Sequence, residues 1–134
     1  MIAFFDTNVY IRILRGTFPK EALEELISRF IIRLSPVVAS ELLRGTTRKT
    51  QKEVQKLVDT LIPIEPPSWR RAWIETRKLL LKVFPYHEEI GLYRLQNDVL
   101  LALTARYTGA RLITSDSHFE TIARYIRFFY IHVG

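Results

Sequence analysis

Ile2-Ala3-Phe4-Phe5-Asp6-Thr7-Asn8-Val9-Tyr10-Ile11 passes within ten positions, 2–11, from an unbroken apolar run through three capping-type residues to the start of a helix. An apolar run without alternation suits a strand buried on both faces, as in a parallel sheet covered by helices. Asp6, Thr7 and Asn8 are residue types whose side chains accept backbone N–H bonds at helix N-termini, so a short helix is expected over 9–14. Strand followed directly by helix is the opening of a β-α-β unit.

The same alternation continues outward from that start. Gly16, Thr17 and Pro19 mark a break, and Ala22, Leu23, Leu26, Ile27 and Phe30 then recur at helical spacing, predicting a helix over 19–30. A strand is expected over 31–35, closed by Pro36. Val37, Val38 and Leu42 restore the helical period up to Gly45, a C-terminal stop. Further helices are expected over 50–61 and 69–83, with a short strand over 62–64 between them, while 86–94 has no clear period. A helix over 95–107, a strand over 112–114, a helix over 119–125 opened by a Ser117/Glu120 capping box, and a strand over 128–133 complete the reading. The pattern predicts an α/β fold, a central mostly parallel sheet with helices on both faces, in one domain spanning residues 1–134.

Composition bounds the function. With 48% hydrophobic and 25% charged residues the chain has ordinary globular proportions, and no apolar run approaches the ~20 residues of a membrane-spanning helix. The absence of cysteine excludes disulfides, thiolate metal sites and cysteine nucleophiles, and with the lack of a secretory signal pattern it gives the expectation of a cytoplasmic protein. A net charge of +6 favours polyanionic partners, nucleic acid above all.

Against that basic background the acids are sparse and unusually placed. Asp6 follows the first strand, Asp98 opens the run 99–107, and Asp116 follows the strand 112–114; of the chain's four aspartates only Asp59 lies elsewhere. Ligands of open α/β sheets collect at the carboxyl ends of the strands, so these acids are expected to converge. Converging carboxylates repel, and a divalent cation that performs phosphoryl chemistry is the simplest compensation. Each acid also has a plainer reading: Asp6 as a helix cap, Glu41 as a solvated border residue, Asp98 as a charge near a helix N-terminus, Asp116 as a turn residue.

Four segments, taken together and in order, resemble the PIN-domain family, and within it the small VapC-type toxin ribonucleases of toxin–antitoxin pairs. They are I-A-F-F-D-T-N-V-Y-I with Asp6, S-P-V-V-A-S-E-L-L-R-G with Glu41, N-D-V-L-L-A-L-T-A with Asp98, and G-A-R-L-I-T-S-D-S-H-F-E-T-I with Asp116. Leu101 and Leu103 depart from the isoleucine and alanine frequent in the family, and 46–94 carries no family signature. The resemblance implies a metal-dependent endoribonuclease in which Asp6, Glu41, Asp98 and Asp116 form an acidic pocket for Mg²⁺ or Mn²⁺. Asp6 and Asp98 are then the expected direct ligands, with Glu41 and Asp116 acting more remotely. It further implies an RNA substrate, a homodimer, and a cognate antitoxin protein that sets a basic side chain against the acids.

Other residues carry weaker expectations. Thr7, Asn8, Thr114 and Ser115 could orient ligands, or serve only as turn and cap residues. Arg12, Arg15, Arg44, Arg48, Lys49 and Lys52 could line a phosphate path, and His118 could touch substrate, although a histidine at a helix start is expected to be exposed. Trp69 and Trp73 are expected in the core or a dimer contact, and His87 and His132 have no partner at ligand spacing. Two rival functions remain at this stage: a catalytically idle basic module that holds RNA or protein on the same fold, and a nuclease directed at DNA.

Overall fold

The computed structural model describes residues 1–85 and 91–134. Four strands, β1 (Ile2–Phe5), β2 (Ile31–Arg33), β3 (Arg111–Thr114) and β4 (Tyr130–His132), form one sheet in the order β2-β1-β3-β4. Every pairing among them is parallel, with Phe4 beside both Arg33 and Leu112, and Ile113 beside Ile131. The expected "mostly parallel" sheet is therefore wholly parallel among the described residues. Ala3, Phe4, Phe5, Leu112, Ile113 and Thr114 are all buried, so both faces of the two central strands are covered.

Seven helices are described: α1 (Thr7–Leu14), α2 (Lys20–Arg29), α3 (Pro36–Arg44), α4 (Gln51–Thr60), α5 (Trp69–Val83), α6 (Leu92–Thr108) and α7 (His118–Ile122). Local chemistry sets several boundaries. Ser35 caps α3 by accepting from the Val37 N–H, Ser68 caps α5 by accepting from Arg71, and Gly109 ends α6 in a left-handed conformation that other residues adopt at a cost. α6 is buried nearly all round through Leu95, Val99, Leu100, Leu101, Ala102, Leu103 and Ala105, and it packs chiefly on α5. Such a helix has no solvent face to show as a period, which is why its extent is harder to read than that of α2 or α4.

Three expectations need correction. The strand over 62–64 shrinks to an isolated parallel bridge between Leu34 and Pro63, in which the Leu34 N–H donates to the Ile62 carbonyl and the Leu34 carbonyl accepts from the Ile64 N–H. The Ser117/Glu120 capping box does not form, since Ser117 makes no side-chain cap bond and the Glu120 N–H donates to the Ser117 carbonyl instead. α6 begins at Leu92, so Asp98 lies nearly two turns inside the helix rather than at its N-terminus. Most of the stretch without a clear period, 86–90, and His87 with it, lies outside the described residues.

Candidate functional site

The strand order places the site. The chain leaves β1 toward β2 on one side and later returns to β3 on the other, so the carboxyl ends of β1 and β3 flank the crevice where the winding direction changes. Asp6 follows β1 and Asp116 lies just beyond β3; the Asp6 N–H bonds the Ile113 carbonyl, which ties the two exits together. Glu41 arrives on α3 and Asp98 on α6. All four line one open cleft of about 570 Å³, with Thr7, Asn8, Arg44, Tyr93, Arg94 and Asn97 around them.

Hydrogen bonds fix the acids rigidly. Asp6 Oδ1 accepts from the Thr7 N–H at 2.7 Å and Oδ2 from the Thr114 hydroxyl at 2.9 Å, so the capping role and the cleft position coexist in one side chain. Thr114 Oγ1 also accepts from the Asp116 N–H at 3.0 Å, and the Thr7 hydroxyl donates to Glu41 Oε1 at 2.9 Å. Thr7 and Thr114 thus orient carboxylates as the sequence suggested. The backbone N–H of His118 donates to Asp116 Oδ1 at 2.9 Å, and Arg94 Nη2 donates to Asp116 Oδ2 at 3.1 Å.

Burial makes this arrangement electrostatically costly. Asp6, Asp98 and Asp116 are only 4%, 6% and 8% exposed. The Asp6 carboxyl is pushed up to about 7, first by burial and then by the charge of Asp98, with bonds from Thr114 and Thr7 pulling the other way. Asp98 is pushed up to about 6, again first by burial, with the His118 bond opposing. Glu41 is raised by burial and lowered by bonds from Thr7 and Asn97. Carboxyl groups held this way favour whatever positive charge enters the cleft, and an all-oxygen donor set of this kind fits a hard divalent cation.

Two residues change weight in the folded chain. His118 is not an exposed helix-start residue: its side chain is 20% exposed, its Nδ1 lies 3.2 Å from Asp98 Oδ2 and 3.4 Å from Asp116 Oδ1, and its imidazole is raised chiefly by the Asp98 bond. Asp98, Asp116 and His118 bring one ligand atom each within 4.8 Å of the others, a tight set that Asp6 and Glu41 adjoin in the cleft without entering it. Arg94 had no signal in the sequence, because it belongs to the aperiodic stretch; Asn97, one residue before Asp98, opens the third quoted segment and lines the cleft beside it. Of the six suggested phosphate-path residues, Arg44 lines the cleft and Arg12 lies over the Phe18 ring at 5.0 Å. Arg15, Arg48, Lys49 and Lys52 are exposed. Trp73 is exposed on α5, Trp69 is half-buried, and His132 is exposed on β4.

The chain matches the PIN domain family over residues 3–125. No curated protein matches it by sequence. Among solved structures it is similar to VapBC2 from Rickettsia felis, bound to a DNA fragment from its promoter, at 22% identity over 100% of both chains with a TM-score of 0.62. It is also similar to VapBC-1 from nontypeable Haemophilus influenzae, at 19% identity over 98% of both chains with a TM-score of 0.66. A third likeness is to FitAcB from Neisseria gonorrhoeae, at 17% identity over 98% of this chain and 97% of that one, with a TM-score of 0.58. Among the described residues no helix is long and apolar enough to cross a membrane. With the family matched along nearly its whole length and the parallel sheet and acidic cleft in place, this chain belongs to the PIN-domain family.

Proposed function

We propose that the protein is a metal-dependent endoribonuclease, the toxin of a type II toxin–antitoxin pair, working through the cleft at the ends of β1 and β3. The observation that carries this reading is the gathering of Asp6, Glu41, Asp98 and Asp116 from separate elements into one cleft, at least three of them buried or half-buried against their ordinary ionisation. Isolated carboxyl groups gain nothing from such burial. Family membership supports a nuclease, and the VapBC and FitAcB likenesses support the toxin role.

In this reading Asp6, Asp98, Asp116 and Glu41 hold Mg²⁺ or Mn²⁺. The ion supplies charge that stabilises a phosphodiester under attack by water. Thr7 and Thr114 keep the carboxylates aimed, so that little reorganisation accompanies binding. Arg44 and Arg94, both at the cleft, hold the non-reacting phosphate oxygens of the RNA, and the exposed Tyr93 offers a ring at the rim. The net charge of +6 draws the polyanion to the molecule. The exposed apolar residues Trp73, Ile74 and Leu81 on α5 support a homodimer. The basic side chain expected from a cognate antitoxin would compete for the same acids.

A second reading draws on the Arg94–Asp116 pair. It neutralises one acid without a metal, as a catalytically idle RNA- or protein-binding module would need. Cleavage of structured RNA, tRNA and single-stranded DNA by antitoxin-free protein, with Mg²⁺ or Mn²⁺ and against Asp6→Asn and Asp98→Asn, decides between them. Metal-dependent RNA cleavage lost in both variants supports the ribonuclease. Cleavage of DNA alone moves the substrate, and no cleavage of any of the three makes the chain a binding module.

A further inference from the structure

His118 stands where an oxygen-only site would place nothing. Its Nδ1 faces two carboxylate oxygens at once, hydrogen-bonding Asp98 Oδ2 at 3.2 Å with Asp116 Oδ1 at 3.4 Å beside it. The three donor atoms span at most 4.8 Å, close to the ~4 Å separation of ligands on opposite sides of an ion with bonds near 2.1 Å. The ring is held in that orientation. Phe84, itself buried, packs edge-on against it at 5.5 Å and 70°, and the backbone N–H of His118 is anchored on Asp116 Oδ1. Arg94 occupies the other oxygen of Asp116, Oδ2, which leaves Oδ1 turned toward the imidazole.

We infer that His118 Nδ1 is a direct ligand of the ion held by Asp98 and Asp116, and that this nitrogen biases the cleft toward first-row transition ions over Mg²⁺. The inference rests on the reading of the cleft as a metal site and refines which ion it takes. Imidazole is a borderline donor: it strengthens binding of transition ions and adds little for Mg²⁺, which keeps oxygen ligands and water. A purely acidic cleft distinguishes these ions only through size, geometry and dehydration. The plainer role for His118 is that of an outer hydrogen-bond donor that aims Asp98 without touching the ion.

Pulsed electron paramagnetic resonance of the full, metal-stripped chain reloaded with Mn²⁺ separates the two roles without any cleavage assay. Direct ligation predicts nitrogen modulation of the Mn²⁺ signal that changes when histidine is labelled with ¹⁵N. His118→Gln should abolish it, which distinguishes His118 from His87 and His132. In competition titrations the same variant should lose part of its preference for Mn²⁺ over Mg²⁺, its affinity for Mn²⁺ falling more than that for Mg²⁺. Mn²⁺ bound with no nitrogen modulation in the unmutated chain, or an unaltered Mn²⁺ to Mg²⁺ ratio in the variant, overturns the His118 assignment and leaves the metal reading standing. Failure of both ions to bind overturns both.

Discussion

Two hollows of nearly equal size flank the same short helix and treat polar groups in opposite ways. The acidic cleft, about 570 Å³, takes Thr7, Asn8 and Ile11 from α1, whereas an apolar groove of about 540 Å³ takes Tyr10, Ile13 and Leu14 from it. At 100° per residue these sets fall on separate arcs of one helix, so one amphipathic segment walls both. In the cleft, Asp6, Glu41, Asp98 and Asp116 each have a hydrogen-bond donor, and Asp6, Glu41 and Asp98 are raised chiefly by burial, so that an entering cation favours their charged forms. In the groove, Phe5, Leu23, Phe30, Ile32, Leu57 and Leu61 surround the buried Tyr10 hydroxyl, which has no partner among the described residues. Burial pushes that phenol upward with nothing to offset it. Polar groups in the cleft are therefore organised for an incoming charge, while the groove, with Glu53, Lys56 and Thr60 also in its lining, leaves its buried phenol without a partner among the described residues.

Substitutions on the two sides should separate sharply. On the proposed metal-site reading, Asp98→Asn is expected to lower RNA cleavage by more than ~100-fold, because it would remove a ligand outright where loss of an outer partner costs ~10- to 100-fold. Cleavage kinetics at saturating Mn²⁺ measure this, and activity near the unmutated level would break the contrast between the hollows.

The next largest effect is on stability against pH. Asp6 and Asp98 have folded-state values of about 7 and about 6 against an ordinary 3.8, so the folded chain binds protons more tightly than the unfolded one across that window. Their contribution to stability is full below the ordinary value and is lost as pH rises through about 6 and then about 7. The raised His118 value acts in the same direction, since protonation there is also favoured in the folded state. Metal-free protein should accordingly melt at lower temperature at pH 8 than at pH 5, by the equivalent of a few kcal/mol. Added Mn²⁺ should restore the loss at pH 8, and Asp98→Asn should flatten the slope. Calorimetric melts across this range provide the measurement.

In the groove, Tyr10→Phe deletes a buried hydroxyl that has no partner among the described residues. A gain of ~1 kcal/mol in denaturant unfolding is expected, with cleavage unchanged. Smallest of all is Arg94→Ala. The guanidinium is 55% exposed, so its loss should alter stability by under ~1 kcal/mol, while metal titration should show tighter binding once the competing cation is gone. Weaker metal binding in that variant would instead mark Arg94 as a support for Asp116.

How much of this was legible beforehand depends on the element. β1, β3, α2 and α4 could be read because their patterns report directly on burial: an unbroken apolar run for the central strands, a three-four spacing for helices with a wet face. α6 could be recognised with its stop at Gly109, but its first turn, 92–94, falls in the stretch without a clear period, and Asp98 was consequently placed nearer a helix start than it lies. The Ser117/Glu120 pair had the right spacing for a capping box, yet the Glu120 N–H donates to the Ser117 carbonyl rather than to its hydroxyl. Local motifs compete for the same donors, and spacing does not say which acceptor wins.

The sequence alone determined the alternation of strands and helices, the positions of Asp6 and Asp116 after strands, and the candidacy of four acids. These follow from chain-local chemistry: apolar periodicity, capping types and their order. Only the tertiary structure decided that Glu41 on α3 and Asp98 inside α6 share a cleft with them, that Arg94 pairs with Asp116, and that the His118 ring turns inward to both Asp98 and Asp116. Those relations join residues on different elements, and they are set by parallel pairing of β1 with β3 and by the packing of α6 over the sheet, neither of which leaves a mark in any single stretch of sequence.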